Sequence, residues 1–434
     1  MAYALALALY RLLWLLALPL VLGYFWLRGR RAPAYRKHLA ERFGFGPSLA
    51  GAVWVHAVSL GEMRSAAPLV RALLDRGERV VTTHLTPTGR RAAETAFAAE
   101  IAAGRMVVRY LPLELGWAYR RFLRQRPKLA LVMEIEVWPV MIAAAARAGV
   151  PLVLTNSQYP ARSFARDRWL AWWIGHPVAR VAAVLAKSET HAVRFRDLGA
   201  RAVLVCGELR FDQPVAPHLL AAAAALRPAI ASRKVVVLAS VVEGEDSLYL
   251  GAIRALQDTS QGPPPLVVYV PRAPERFDEV AKILTRDGQR LQRRSRVLDA
   301  GLTADPVPDL SQTDILLGDS LGEMYFYLAL ADLVVVGGGF LPSGAHNVIE
   351  PLALAKPVLT GPQVWSIEYP GVEAVAAGAL EVCATPEALG HRMAVLLGDG
   401  AALAEKAARG QAFFVGCSGA TGRTLAALAQ LGLI

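Results

Sequence analysis

Hydrophobic positions open the chain as one long run and then settle into a short-period alternation. Residues 1–27 are apolar except for Arg11, and Arg28, Arg30, Arg31, Arg36 and Lys37 follow at once. The uninterrupted stretch Leu12–Leu27 is short for a bilayer crossing, though residues 1–10 can extend it past Arg11. The run lacks the basic start and small-residue cleavage site of a signal peptide. It reads instead as an uncleaved anchor, residues 1–37, whose basic flank faces the cytoplasm and its anionic lipids. The pattern fits a crossing helix and an interfacial helix equally.

Beyond the anchor, near-continuous apolar segments alternate with helical ones. Strands are predicted at Val53–Ser59, Val80–Thr83, Met106–Tyr110, Leu129–Met133 and Leu152–Asn156, with helices at Ser65–Leu74, Arg90–Ala98 and Trp138–Ala146. The segment Asp212–Pro228, with three prolines and an alanine run, reads as an interdomain connection. The alternation restarts with strands at Val235–Ala239 and Leu266–Val270 and helices at Asp246–Leu256 and Pro274–Asp287. Arg290–Asp309 reads as a loop with one weak strand, and strands at Ile315–Leu317, Leu333–Val336 and Pro357–Thr360 complete the set. Apolar strands alternating with helices signal a parallel sheet covered on both faces, and two such sets predict an α/β chain of two doubly wound halves facing a cleft. The expected division is 38–212, a linker at 213–232, and 233–434.

Composition narrows the function classes. The 434 residues are 54% hydrophobic and carry a formal charge of +11, enough apolar surface for two cores and a basic excess suited to anionic partners. The charge is spread along the chain, with no zinc spacing and no basic helix bearing stacking aromatics, so a nucleic-acid partner is not expected. Cys206, Cys383 and Cys417 are too few and too scattered for a disulfide framework or a cysteine metal site.

Candidate chemistry gathers at the predicted strand ends, where ligands bind in such sheets. His56, Ser59, Gly61 and Glu62 end the first strand, and Thr86-Pro-Thr-Gly89 ends the second. Glu134-Ile-Glu136-Val-Trp138-Pro139 ends another. Glu62 reads equally as a partly desolvated base with a raised pKa or as a solvated acid capping its helix. In the second half, Ser240 to Glu245 is a strand-to-helix turn whose amides suit an anion, and Pro271-Arg272 ends the next strand. Arg272 suits a phosphate or carboxylate, or a local pair with Glu275. Gly318 to Glu323 is a further such turn. The stretch Gly337 to Pro351 places three glycines after a strand, where they allow a phosphate to approach or two elements to pack tightly. Glu350, about one turn into the following helix, is placed to accept from ribose hydroxyls, and His346 reads as a buried structural histidine. Neither a dinucleotide nor a Walker fingerprint is present.

Taken in order, these motifs resemble the transferases of 3-deoxy-manno-octulosonic acid (Kdo). The resemblance is carried by Arg-Gly-Arg-Arg-Ala-Pro-Ala-Tyr-Arg-Lys (28–37), the turn at 59–62, Thr-Pro-Thr-Gly and Glu-x-Glu-x-Trp-Pro. It continues through Gly-Glu-Leu-Arg-Phe-Asp (207–212), Glu-Gly-Glu, Pro-Arg-x-Pro-Glu-Arg-Phe (271–277), Gly-Asp-x-x-Gly-Glu-Met and His-Asn-x-x-Glu-Pro. It implies a GT-B fold with an N-terminal membrane-anchor helix, CMP-Kdo as donor, a lipid A precursor as acceptor, and an inverting transfer that needs neither metal nor cofactor. The site would be the cytoplasmic face of the inner membrane. By the same resemblance Glu62 is the general base, and Glu136 and Arg210 support the transition state. The donor contacts would be Ser240, Pro271, Arg272, Leu321, Gly322, Glu323, Asn347, Val348, Ile349 and Glu350. The chain departs from the family pattern at 156–163, at Arg210, at Val241–Val242 and at 343–349. Two other readings are a divergent relative acting on a related sugar acid or glycolipid, and a catalytically silent membrane-tethered binding protein. Retention of Glu62, Glu136, Arg272 and Glu350 argues against the silent form.

Overall fold

The computed structural model describes every residue except 1, 260, 261, 305 and 307. The chain divides into two compact units, one comprising the residues up to Gln213 together with Ser418–Ile434, the other Pro214–Cys417.

In the first unit the strands are β1 (Val53–His56), β2 (Val80–His84), β3 (Met106–Tyr110), β4 (Leu129–Met133), β5 (Leu152–Ser157), β6 (Ala183–Ala186) and β7 (Val203–Val205). They form one parallel sheet in the order β3-β2-β1-β4-β5-β6-β7. Val53 lies opposite both Val80 and Leu129, so the strand order reverses between β1 and β4. Successive side chains of a strand point to opposite faces, and both faces here are covered. Val53, Val55, Leu129 and Leu131 join one buried cluster, while Trp54, Ala130 and Val132 join the other.

The second unit repeats this plan with β8 (Val235–Val241), β9 (Leu266–Pro271), β10 (Leu291–Arg293), β11 (Ile315–Leu317), β12 (Leu333–Val336), β13 (Val358–Thr360) and β14 (Leu380–Val382). All neighbours are parallel, in the order β10-β11-β9-β8-β12-β13-β14, and the reversal falls between β8 and β12. Val236, Leu238 and Val267 face one cluster, Val235, Val237 and Val268 the other. The expected α/β architecture of two Rossmann-like halves is present.

Several boundaries differ from expectation for local reasons. The first-unit helix expected at Ser65–Leu74 begins at Leu60, because the Ser59 side chain caps it by accepting from Glu62 N–H. The Asp212–Pro228 stretch contains a helix, Pro217–Leu226, whose Leu219, Ala223 and Leu226 are buried in the second core. The weak strand expected within 290–309 is β10, followed by a four-residue helix, Arg294–Val297. The C-terminal helix Ala420–Gln430 does not stay with the 233–434 half. Its Ala420, Ala427 and Leu428 pack in the first unit's core, and the Asp212 carboxylate accepts from Gly419 N–H at 2.6 Å. At the other end of the chain a single helix, Ala2–Arg31, carries the apolar run.

Candidate functional site

The reversal point of each sheet gathers the polar residues. In the first unit it lies beyond the carboxyl ends of β1 and β4. Glu62 sits in the first turn of the Leu60–Asp75 helix. One carboxylate oxygen accepts from Val58 N–H at 2.8 Å and the other lies 3.3 Å from the Ser59 hydroxyl. The carboxyl thus sits in the first turn of its helix, as the capping reading expected, but partly buried rather than solvated. Glu62 closes its own helix cap, and burial lifts its carboxyl to about 7 against the Val58 bond, with Glu136 and Glu134 pushing the same way.

The turn holding Glu62 is clamped by its neighbour. Leu85 N–H, Thr86 N–H and the Thr86 hydroxyl all reach Val58 O, at 3.1 to 3.2 Å. A Cβ on Gly89 would stand 3.0 Å from Ser59 C and 3.1 Å from Val58 O, so glycine lets the second turn press against the first. Below them His56 and His84 are buried, bonded to Thr83 and to Ala57 O and Thr82 respectively. Burial drives their imidazoles down to about 4 and about 3, so both are neutral core groups rather than acid–base catalysts.

Beyond β4, Glu134 adopts the left-handed region at φ 58°, and Glu136 accepts from the Trp138 indole. Burial raises both carboxyls, for Glu134 in spite of Lys187. Lys187, at the end of β6, is 2% exposed and lies 2.8 Å from the carboxylates of both Glu134 and Glu208. Asn156, also left-handed, donates to both of those carboxylates at 2.9 and 3.0 Å. Arg210 donates to Glu208 at 3.1 Å. Burial would raise Glu208, but Arg210 and Lys187 overcome it and hold the carboxyl well below its usual range. Arg210 thus contacts a buried carboxylate, and Glu62 lies within reach of the charges of Glu134 and Glu136. Lys187 escaped the sequence reading; its only signal was a lone cation directly after the apolar strand Ala183–Ala186.

In the second unit the corresponding turns follow β8, β9, β11 and β12. The first and last are locked together: a Cβ on Gly337 would lie 2.6 Å from Ser240 O, and Ser240 itself is left-handed at φ 61°. Gly339 is equally tight against Gly361, so these glycines serve close packing. Two amides expected to face an anion already have one, since the fully buried Glu245 carboxylate accepts from Gly338 N–H at 2.7 Å and Phe340 N–H at 3.2 Å.

The acids of the β11 turn are likewise taken. Asp319 pairs with Arg293 at 2.7 Å and Glu323 with Arg294 at 2.6 Å. Between them Leu321 is 71% exposed and Gly322 is left-handed at φ 82°. The Glu350 helix is short, Ile349–Ala353, which puts Glu350 in its first turn rather than one turn in. Asn347 accepts from Ile349 N–H at 3.0 Å, and the Val348 and Ile349 side chains are buried in the core. Arg272 is exposed, and among the described residues it makes no ion pair with Glu275. Burial, with the Arg272 charge adding to it, lowers the His346 imidazole to about 4.

The sequence profile of the 3-deoxy-D-manno-octulosonic-acid transferase (kdotransferase) family matches residues 37–213. The 3-deoxy-D-manno-octulosonic acid transferase of Bordetella pertussis is 42% identical over 369 residues, covering 83% of this chain and 84% of that protein. The Haemophilus influenzae protein of the same description is 32% identical over 400 residues, covering 89% and 90%. In fold the chain is similar to a Rickettsia africae glycosyltransferase (TM-score 0.58, 11% identity, 88% of this chain and 99% of that one). It is also similar to the UDP-GlcNAc 2-epimerase of Neisseria meningitidis (TM-score 0.57, 13% identity, 87% and 100%). The chain belongs to the family of 3-deoxy-D-manno-octulosonic acid transferases, and it is a glycosyltransferase.

Proposed function

We propose that the chain transfers Kdo, with inversion, from CMP-Kdo to a lipid A precursor at the cytoplasmic face of the inner membrane, with Glu62 as general base. The observation that carries this reading is the Glu62 carboxyl, fixed by Val58 N–H and poised at about 7. A base works best with a pKa near the operating pH. The acceptor hydroxyl oxygen attacks the anomeric carbon of Kdo while its proton passes to Glu62. The bond from that carbon to the phosphate breaks, and CMP leaves with the electron pair. The half-buried carboxyls of Glu136 and Glu134 stabilise the positive charge that develops on the sugar, and Arg210 holds Glu208, which with Lys187 and Asn156 fixes Glu134.

Acceptor chemistry is assigned to the first unit and donor chemistry to the second. Arg272 is the cation for the donor's phosphate or carboxylate, supported by its exposure at the end of β9. Ser240, Pro271, Leu321, Gly322, Glu323 and Asn347–Glu350 surround the donor, Val348 and Ile349 through their backbone because their side chains are buried. Glu350 accepts from the ribose. The test is incubation of the purified chain with CMP-Kdo and tetraacylated lipid A, followed by mass spectrometry of the lipid. A Kdo-bearing product that disappears in Glu62→Gln supports the reading; Glu62→Gln turning over at the parental rate removes Glu62 from the mechanism.

A further inference from the structure

We propose that the N-terminal helix lies flat against the membrane as part of the first unit, instead of crossing the bilayer. Helix Ala2–Arg31 is docked along its length by one stripe. Leu7 and Tyr10 pack against the core beside β4, and Trp14, Leu18, Val21 and Phe25 pack against Leu113, Leu115 and Ala118. These positions advance by three or four residues, a single helix face.

Tyr3 and Arg11 turn their polar atoms inward too. The Arg180 guanidinium lies 4.0 Å from the centroid of the Tyr3 ring, and Arg42, itself 1% exposed, lies 4.3 Å from the Phe25 ring. Arg11 faces the charges of Glu114, Arg147 and Arg120. Glu114 is tied in turn to the first turn of the Pro139–Arg147 helix, accepting from Val140 N–H at 2.8 Å and Met141 N–H at 3.0 Å. From Tyr3 to Phe25 the docked stripe runs about 33 Å at 1.5 Å per residue, which matches the hydrocarbon thickness of about 30 Å. A helix crossing the bilayer in this docked state would drag Glu114, Arg120, Arg147 and Arg180 into hydrocarbon, where charged groups are strongly disfavoured.

The opposite face is apolar and free: Leu5, Leu9, Leu12, Leu16 and Leu20 are 75%, 56%, 53%, 68% and 77% exposed. A second helix continues the surface. Ala161–Ile174 has no buried residue, and its Trp169, Trp172 and Trp173 are 68%, 77% and 59% exposed. The two helices share the walls of one cavity of about 490 Å³, through Leu7 and Tyr10 on one side and Leu170 and Ile174 on the other. Exposed leucines and tryptophans flanked by Arg28, Arg30, Arg31 and Arg168 fit the headgroup boundary of an anionic bilayer, where indoles settle and basic residues are attracted. An all-round apolar helix is what this arrangement requires, since one side meets protein and the other meets acyl chains.

The full chain in native membranes tests this independently of the transfer reaction. In a Cys417→Ser background the remaining cysteines, Cys206 and Cys383, are buried. Ala2→Cys and the exposed Glu405→Cys are then treated with a membrane-impermeant maleimide in spheroplasts and in inverted vesicles. Labelling of both cysteines only in inverted vesicles is expected; labelling of Ala2→Cys only in spheroplasts, or in neither preparation, overturns the proposal. Spin labels at Leu5, Leu12, Leu16 and Leu20 supply the second readout in vesicles containing phosphatidylglycerol. A uniform shallow depth supports the flat helix, and a depth peaking at the middle positions overturns it.

Discussion

The two units end their sheets in turns of opposite chemistry. At the first reversal point burial raises three carboxyls, Glu62, Glu134 and Glu136, and the Glu134 charge adds to the rise of the other two. In the second unit the Glu245 carboxylate beside the reversal point is held by backbone amides, and Asp319 and Glu323 of the β11 turn pair with Arg293 and Arg294. The cation Arg272 lies exposed at the end of β9. On the proposed function, one fold serves as proton acceptor in the first unit and as anion receiver in the second, depending on whether its strand-end carboxylates are crowded together or paired off. A reaction that removes a proton from one partner and a phosphate from the other needs both.

The largest effect should come from Glu62→Gln, which keeps the Val58 hydrogen bond but removes the proton acceptor. We expect kcat to fall by roughly 10²–10⁴ with CMP binding unchanged in calorimetry. Equal losses of both would place Glu62 with the donor and break the comparison. Lys187→Met should come next. It leaves Glu134 and the fully buried Glu208 without their shared cation, at about 3–5 kcal/mol in urea unfolding of the first unit. A loss below about 1 kcal/mol would mean that Arg210 and Asn156 suffice.

Arg272→Ala should weaken CMP binding by roughly 10–150-fold, the range for losing a hydrogen bond to a charged group. It should also let the His346 imidazole rise from about 4 in a proton-detected titration, because the Arg272 charge is one of the two influences that lower it. An unchanged His346 would show that burial alone sets its state. The smallest effect concerns stability against pH. A carboxyl raised from 4.5 to about 7 contributes stability that is present below 4.5 and lost as pH rises through 7. Glu62→Gln should therefore gain Tm relative to the parent at pH 8 and not at pH 4, by roughly 5–10 °C; a gain that is equal at both values would refute the raised carboxyl.

Much of this was legible in the apolar runs. Leu129–Met133, Ile315–Leu317 and Leu333–Val336 read from pattern alone match the strands residue for residue, because buried parallel strands have no polar side to blur them. The strands Ala183–Ala186, Val203–Val205 and Leu380–Val382 were missed; the last two are edge strands only partly buried, so burial does not mark them as it marks the central strands. Glu62 and Arg272 were visible as polar residues at strand ends. Lys187 was not, since its partners Glu134 and Glu208 lie far off in sequence; Glu245 was read as part of an anion-receiving turn, and its hold on the amides of Gly338 and Phe340, over ninety residues on, left no local sign. Likewise Arg11 looked like an interruption of the apolar run until Glu114 was seen opposite it.

The return of Ser418–Ile434 to the first unit makes the second unit an insertion, entered at Pro214 and left at Cys417. Residues 214–417 hold a whole core, so as a separate polypeptide they should fold. Residues 1–213 by themselves would lack Ala420, Ala427 and Leu428 and should be insoluble until the last seventeen residues are joined back through a short linker. A stop codon at the position of Ser418 would therefore injure the unit built from residues that precede Pro214, two hundred positions upstream.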